Sequence, residues 1–237
     1  MLISCVSDLD SIDMEFFWEA IKMAKNPDLL LMAGDMYDFR SPETYGLILD
    51  FFKLRKWDCP VVAVYGNHEF DEDIDDIRKI CGKRVTFLDD ESVELKIGGK
   101  KIGIVGTRGS LDEPTWWQSK QVADVRKAYT DRIKKCEGLL SGLKSDVKIL
   151  LSHYALTYKT LVGEDKSFFS GLGSKKFEKV LTGTGTSFAV HGHAHYGRPL
   201  AFVDSIPVFN AAFEITRKIV EIDPDNLPKA GLHKFVK

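Results

Sequence analysis

Short apolar runs of strand length recur along this chain, and five of them stop abruptly at clusters of aspartate, asparagine or histidine. The clearest is Leu29-Leu30-Leu31-Met32-Ala33, which halts at Gly34-Asp35-Met36-Tyr37-Asp38. A short continuous apolar run reads as a strand buried on both faces, and open α/β sheets place their ligands at the carboxyl ends of such strands. Glycine lets the backbone come close to whatever sits there. An aspartate so placed can bind one metal, or two through its two oxygens. The same pattern returns at Ser7-Asp8-Leu9-Asp10, at Gly66-Asn67-His68-Glu69, at His153, and at His191-Gly192-His193-Ala194-His195. Alternate residues of an extended chain share a side, so Asp8 and Asp10 face one way together. Each cluster alone has an ordinary reading as a polar turn or a hydrogen-bonded structural histidine. Five in one chain do not, and they hold five of the six histidines, leaving only His233 elsewhere.

The intervening stretches are helical in pattern. Asp13 can cap a helix that carries Phe16, Phe17, Ala20, Ile21 and Ala24 on one face and ends at Asn26-Pro27. Ser41-Pro42 has the form of a serine cap with proline at the first helical position, opening a helix to about residue 56. An acidic helix follows over 73–81. Strand and helix thus alternate through the first 80 residues or so, which predicts a parallel sheet with helical cover. Strands are expected over 85–88, 92–95 and 101–105, with a hairpin turn at Gly98-Gly99. A long charged helix is expected over 114–140, a strand over 147–151, and a long polar loop over 155–173 of the kind that is usually functional or mobile. A short helix over 175–181, a strand over 187–190 and runs at 200–203, 206–209 and 215–222 complete the pattern. With no repeat or linker, the expectation is one domain over 1–223 and a C-terminal tail over 224–237.

At 237 residues the chain can bury a substantial core. Its formal net charge of −2 gives no general affinity for nucleic-acid phosphates or anionic membranes, although local basic patches are compatible with it. No apolar run approaches the roughly 20 residues of a membrane helix. The N-terminus lacks the basic and apolar regions of a signal peptide. Cys5, Cys59, Cys81 and Cys136 are scattered and read as reduced structural thiols. A cytoplasmic protein is expected. No feature specifies an oligomeric state.

Mixed carboxylate, carboxamide and imidazole donors suit manganese, iron or zinc, and scattered cysteines argue against a structural zinc or iron–sulfur site. Two metals need about seven to eight donors, which these clusters supply, and paired metals roughly 3.5–4 Å apart serve in-line displacement at phosphorus. The clusters occur in the order Asp8-Leu9-Asp10, Gly34-Asp35-Met36-Tyr37-Asp38, Gly66-Asn67-His68-Glu69, His153 and Gly192-His193-Ala194-His195. In that order and as a set the chain resembles the calcineurin-like metallophosphoesterase superfamily, departing from it where Asp10 stands in place of a histidine.

The resemblance implies a four-layer α/β/β/α sandwich with a dimetal site at the strand ends. It places Asp8, Asp35 and His195 on one metal, with Asp10 in the place of the usual histidine as a direct ligand or, being shorter, acting through a water. It places Asp35, Asn67, His153 and His193 on the other, with manganese the leading choice and iron or zinc the alternatives. It makes His68 a catalytic group that protonates the leaving oxygen or steadies the phosphoryl charge, and gives Asp38 the task of orienting it. The nucleophile would be a metal-bridging hydroxide, without a phosphoenzyme. Arg108 and Arg198 follow strand ends and are expected to hold phosphate oxygens. Trp116, Trp117, Phe168 and Phe169 are available to stack on a base. With Asp8, Asp10 and Asp35 ionised, two divalent ions and a hydroxide leave the centre formally neutral. That favours singly charged diesters over doubly charged monoesters. The expected function is hydrolysis of small phosphodiesters or phosphomonoesters, nucleotides among them. The alternatives are a nuclease of the same fold, and a non-catalytic scaffold.

Overall fold

The computed structural model describes residues 1–10, 12–37, 41–121 and 123–231. Its first sheet is built from β1 (Ile3–Val6), β2 (Leu29–Met32), β3 (Val61–Ala63) and β4 (Thr86–Phe87), all parallel. The strand β11 (Val220–Ile222) closes the β1 edge, antiparallel, with Ile3 opposite Ile222. Between these strands run α1 (Met14–Met23), α2 (Thr44–Leu54) and α3 (Ile74–Cys81). Asp13 caps α1, its carboxylate accepting from the Glu15 amide at 2.9 Å.

The second sheet has the order β5 (Glu91–Ile97), β6 (Lys100–Thr107), β7 (Val147–Ser152), β8 (Phe188–His191), β10 (Ile206–Asn210), β9 (Leu200–Val203). Its four central strands are parallel and its two edge strands antiparallel. The helices α4 (Trp116–Gln121), α5 (Val125–Gly142), α6 (Phe169–Leu172) and α7 (Phe177–Gly183) belong to its connections, and α8 (Phe213–Thr216) precedes β11.

The period of two along each strand sorts side chains between layers. Ile3, Cys5, Leu29, Leu31 and Val62 meet Ile102, Ile149, Phe188 and Val190 between the sheets. Leu30, Met32 and Ala63 face the other way, onto Phe17, Ile21, Ile48 and Phe52 of α1 and α2. Val105, Leu150, Ala189 and Val208 face Ile133, Cys136, Leu140 and Phe177 of α5 and α7. The result is helices, sheet, sheet, helices: the expected four-layer sandwich. Leu227, in the stretch expected to be a tail, packs against the inter-sheet core. Among the described residues no helix is long and apolar enough to cross a membrane.

Four local expectations are corrected. The serine–proline pair does not cap α2. Ser41, Pro42 and Glu43 form a turn whose carbonyls accept from Thr44, Tyr45 and Gly46, and the helix starts at Thr44 without a side-chain cap. The long helix is two, α4 and α5, parted at Asp124, whose φ of +49° is a left-handed conformation that aspartate tolerates better than most residues. The run at 215–222 splits at Arg217, φ +51°, into α8 and β11. The stretch over 155–173 is not loop throughout: it carries α6 at Phe169–Leu172, and the Ala155 amide donates to Leu172 and the Ser174 amide to Ala155, with Thr157, Thr160 and Leu161 buried inside it.

Candidate metal centre

The parallel strands of both sheets end on one side of the sandwich, and the polar clusters follow directly from them. Two of the turns require glycine. A Cβ on Gly34, whose φ is +86°, would lie 2.6 Å from the Gly66 amide nitrogen, and a Cβ on Gly66 would lie the same distance from the Asp35 amide nitrogen. The ends of β2 and β3 therefore touch backbone to backbone. Asp8, Asp35 and His193 themselves take left-handed φ values of +57°, +51° and +67°. Such strain at three convergent polar residues marks a place where geometry is held against local preference.

Two groups of donors converge, each with ligand atoms within 4.8 Å of one another: Asp8, Asp10 and His195, and Asp35, His153 and His193. His153 is fully buried. Its Nδ1 donates to the Ala33 carbonyl at 2.9 Å, which turns Nε2 toward Asn67 Oδ1 at 2.9 Å and Asp35 Oδ2 at 3.3 Å. His195 is held in the same way, with Nδ1 2.8 Å from Glu214 and Nε2 3.1 Å from Asp8. An acceptor on the outer nitrogen fixes the tautomer and leaves the inner nitrogen free to ligate. Asp8 also accepts from the His193 amide, and Asp35 from the His68 amide at 2.7 Å. The His193 ring centroid lies 4.8 Å from that of His153.

Charge is concentrated here. Burial drags the His153 imidazolium down, but the Asp35 and Asp8 carboxylates outweigh it and hold its pKa at about 9. The Asp8 hydrogen bond holds His195 at about 9. Burial, with His153 beside it, pushes His193 down to about 3. Burial and the Asp35 charge raise Asp10. These groups fit divalent cations. Asp8 and Asp35 are almost wholly buried, Asp10 has one oxygen, Oδ1, buried without a partner, and like charges so close require a counter-charge.

Asp10 faces two ways: Oδ1 is the unpartnered oxygen, while Oδ2 lies 3.3 Å from His68 Nδ1. His68 is half-buried and lines a cavity of about 960 Å³, together with Asn67 and His193. Asp38 lies outside the described residues. Of the two arginines, Arg108 lines the cavity and Arg198 is exposed outside it. Trp116 and Phe168 are likewise exposed and, with Phe169, do not line it, while the Trp117 side chain lies outside the described residues; the described aromatic wall is Phe70, Tyr129 and Tyr154.

Two residues that shape the centre have no assigned role in the sequence reading, Glu69 and Glu214. Glu69 is fully buried, and its carboxylate accepts from the amides of Asp35, Met36 and Gly66 and from the Tyr45 hydroxyl. It thereby ties together the loops that carry Asp35 and Asn67. Its position in the third cluster was the available signal. Glu214 had none, because it sits in α8, 19 residues beyond the histidine it touches.

The comparisons with known proteins agree with this architecture. The family model for calcineurin-like phosphoesterases matches residues 2–197. A protein of Synechococcus sp., named "Probable cyclic nucleotide phosphodiesterase", is 36% identical over 220 residues, covering 88% of this chain and 77% of its own. Among solved structures, the phosphopantetheinyl hydrolase of Mycobacterium tuberculosis superposes with a TM-score of 0.71 at 17% identity, covering 95% of this chain and 98% of its own. The NAD nucleotidase of Haemophilus influenzae gives a TM-score of 0.55 at 15% identity, covering 96% of this chain and 54% of its own.

Proposed function

The chain belongs to the calcineurin-like phosphoesterases, as a metal-dependent hydrolase, and within that family we propose that it hydrolyses the phosphodiester bonds of small nucleotide-like substrates. The observation that carries this reading is the convergence of the two donor groups at the edge of a cavity lined by His68 and large enough for a nucleotide. The name of the Synechococcus relative supports a nucleotide diester.

Asp8, Asp10, Asp35 and His195 would hold one divalent ion, and Asp35, Asn67, His153 and His193 the other, with Asp35 shared. Manganese suits a donor set this rich in oxygen, with iron and zinc next. When bound, the ions supply Lewis acidity and an activated water. The chain's own residues do the rest. Glu69 fixes the two loops, Glu214 and the Ala33 carbonyl aim the histidines, and His68 hands a proton from Nε2 to the leaving oxygen. Asp10 Oδ2, 3.3 Å from His68 Nδ1, keeps that tautomer and holds the ring in place. Asp38 is assigned to the same orienting task. A carboxylate at position 10 thus offers one oxygen to metal and one to His68, which an imidazole would not. It also keeps the centre formally neutral, favouring diesters.

The test is a panel of phosphodiesters, cyclic nucleotides, phosphomonoesters and single-stranded DNA, assayed with manganese and with a chelator, beside elemental analysis. About two ions per chain and chelator-sensitive diester hydrolysis are expected. His68→Asn should keep the metal and lose about 10²–10⁴-fold in rate, less on good leaving groups. Protein that takes up no manganese, or a His68→Asn variant as active as wild type, would sink the reading.

A further inference from the structure

The charges that line the cavity beside the metal donors bear directly on the charge of the substrate it admits. Its described lining includes two cations, and the protein has already matched both. Arg132 is bound by Asp90 at 3.0 Å and by the Gly109 carbonyl. Arg108 lies over the Tyr65 ring at 5.4 Å and is bound by Asp71 at 2.8 Å. Against them the lining sets Glu69, Asp71, Glu72 and Asp89, and the Oδ1 atom of Asp89 is buried with no partner. Tyr129, Tyr154, Leu111 and Val125 supply an uncharged wall, and the Tyr154 ring packs 4.8 Å from that of His193.

The two ion pairs differ in how firmly they are held. Asp90 is 17% exposed, so parting it from Arg132 would strand a nearly buried carboxylate. Asp71 is 89% exposed while Arg108 is 19% exposed. Asp71 can swing into water at little cost, whereas Arg108 stays in place. An incoming phosphate oxygen therefore competes with Asp71 for Arg108, and meets the Asp71 charge while doing so. A second negative charge on the substrate raises that opposition.

The geometry points to Asp71 as the residue that sets the charge preference of this site: by occupying Arg108 it selects singly charged phosphodiesters with an uncharged, ring-bearing organic group and disfavours doubly charged phosphomonoesters. This rests on the proposed phosphodiesterase reading and adds the residue that sets its selectivity.

The experiment compares wild type, Asp71→Asn, Arg108→Gln and the double variant, all manganese-loaded. The substrates are p-nitrophenyl phosphate and bis(p-nitrophenyl) phosphate, and inorganic phosphate binding is followed separately by titration calorimetry. An exposed pair is weak, so Asp71→Asn should tighten phosphate binding about fivefold. It should raise kcat/KM about fivefold for the monoester and less than about twofold for the diester, mostly through KM. In the Arg108→Gln background only the bare repulsion of the Asp71 charge is left, so the same change should have a much smaller effect, under about twofold. Equal effects on both esters, unchanged phosphate affinity, or an Asp71 effect undiminished without Arg108 would overturn the inference. If wild type hydrolyses neither ester, the phosphodiesterase reading falls, and phosphate binding still decides the role of Asp71.

Discussion

Replacing Glu69 by glutamine changes one atom and should nevertheless be among the most damaging substitutions in the chain. Four donors converge on this buried carboxylate. The amides of Asp35 and Gly66 reach Oε2 at 2.8 and 2.6 Å, and the Met36 amide and Tyr45 hydroxyl reach Oε1 at 2.8 and 3.0 Å. A glutamine keeps one acceptor and turns an NH₂ group onto the other pair; its least costly orientation keeps the oxygen at the Asp35 and Gly66 amides and puts the NH₂ at Tyr45, whose hydroxyl can turn to accept, leaving the Met36 amide stranded. A buried donor left without a partner costs about 1–3 kcal/mol, a sizeable part of an ordinary 5–15 kcal/mol stability. The damage is local to the centre, because the stranded amide belongs to the loop that carries Asp35. Urea unfolding without metal should show a midpoint shifted well down with an unchanged slope. Calorimetry on the folded variant should show manganese affinity weakened more than about tenfold. A stability loss under about 1 kcal/mol together with wild-type metal affinity would refute the claim that Glu69 holds the two loops together.

Two further outcomes follow from the same contacts. Glu214→Ala removes the acceptor 2.8 Å from His195 Nδ1 and should lower manganese affinity about 10–100-fold at one of two sites, leaving the other within a factor of about two; calorimetric isotherms would show it, and an unaltered isotherm would dismiss the contact. Burial pushes the thiols of Cys81 and Cys136 up to about 12 and that of Cys59 up to about 11. A raised thiol pKa means less thiolate, so at pH 8 native Cys59 should react with a disulfide reagent roughly a hundredfold slower than a free thiol and the other three slower still. All four should react at once in urea, and rapid native labelling would contradict this burial.

Much of the centre was legible in the linear chain because its residues sit within a few positions of strand ends. The apolar run declares the strand, and the first polar residues after it must emerge at the sheet edge. Asp8, Asp35, Asn67, His153, His193 and His195 are of this kind, and the structure brings them together. Asp10 was legible as a departure, and only its surroundings showed that its two oxygens face different tasks. Arg108 and Arg198 looked alike after their strands. In the folded chain Arg108 lines the cavity and Arg198 is exposed outside it, since nothing in local sequence states which side of a loop meets the rest of the molecule. Three of the aromatics offered for stacking, Trp116, Phe168 and Phe169, lie outside the cavity for the same reason. Trp116 is exposed on α4, while the cavity wall is taken from Phe70, Tyr129 and Tyr154, in three separate segments.

The sequence by itself determined the layered α/β architecture, through period-two burial and alternating helices, and the residues able to ligate, through their place after apolar runs. Both are local properties: a strand's facing pattern and its end are written in adjacent residues. Tertiary structure decided which carboxylates are shared with backbone, which nitrogens of His153 and His195 turn inward, and which cations of the cavity are already matched. Those facts depend on partners such as Glu69 with Tyr45, Glu214 with His195 and Asp71 with Arg108, separated by 24, 19 and 37 positions. Hydrogen bonds and ion pairs act over about 3 Å, and only the packing of distant segments brings such groups within that reach.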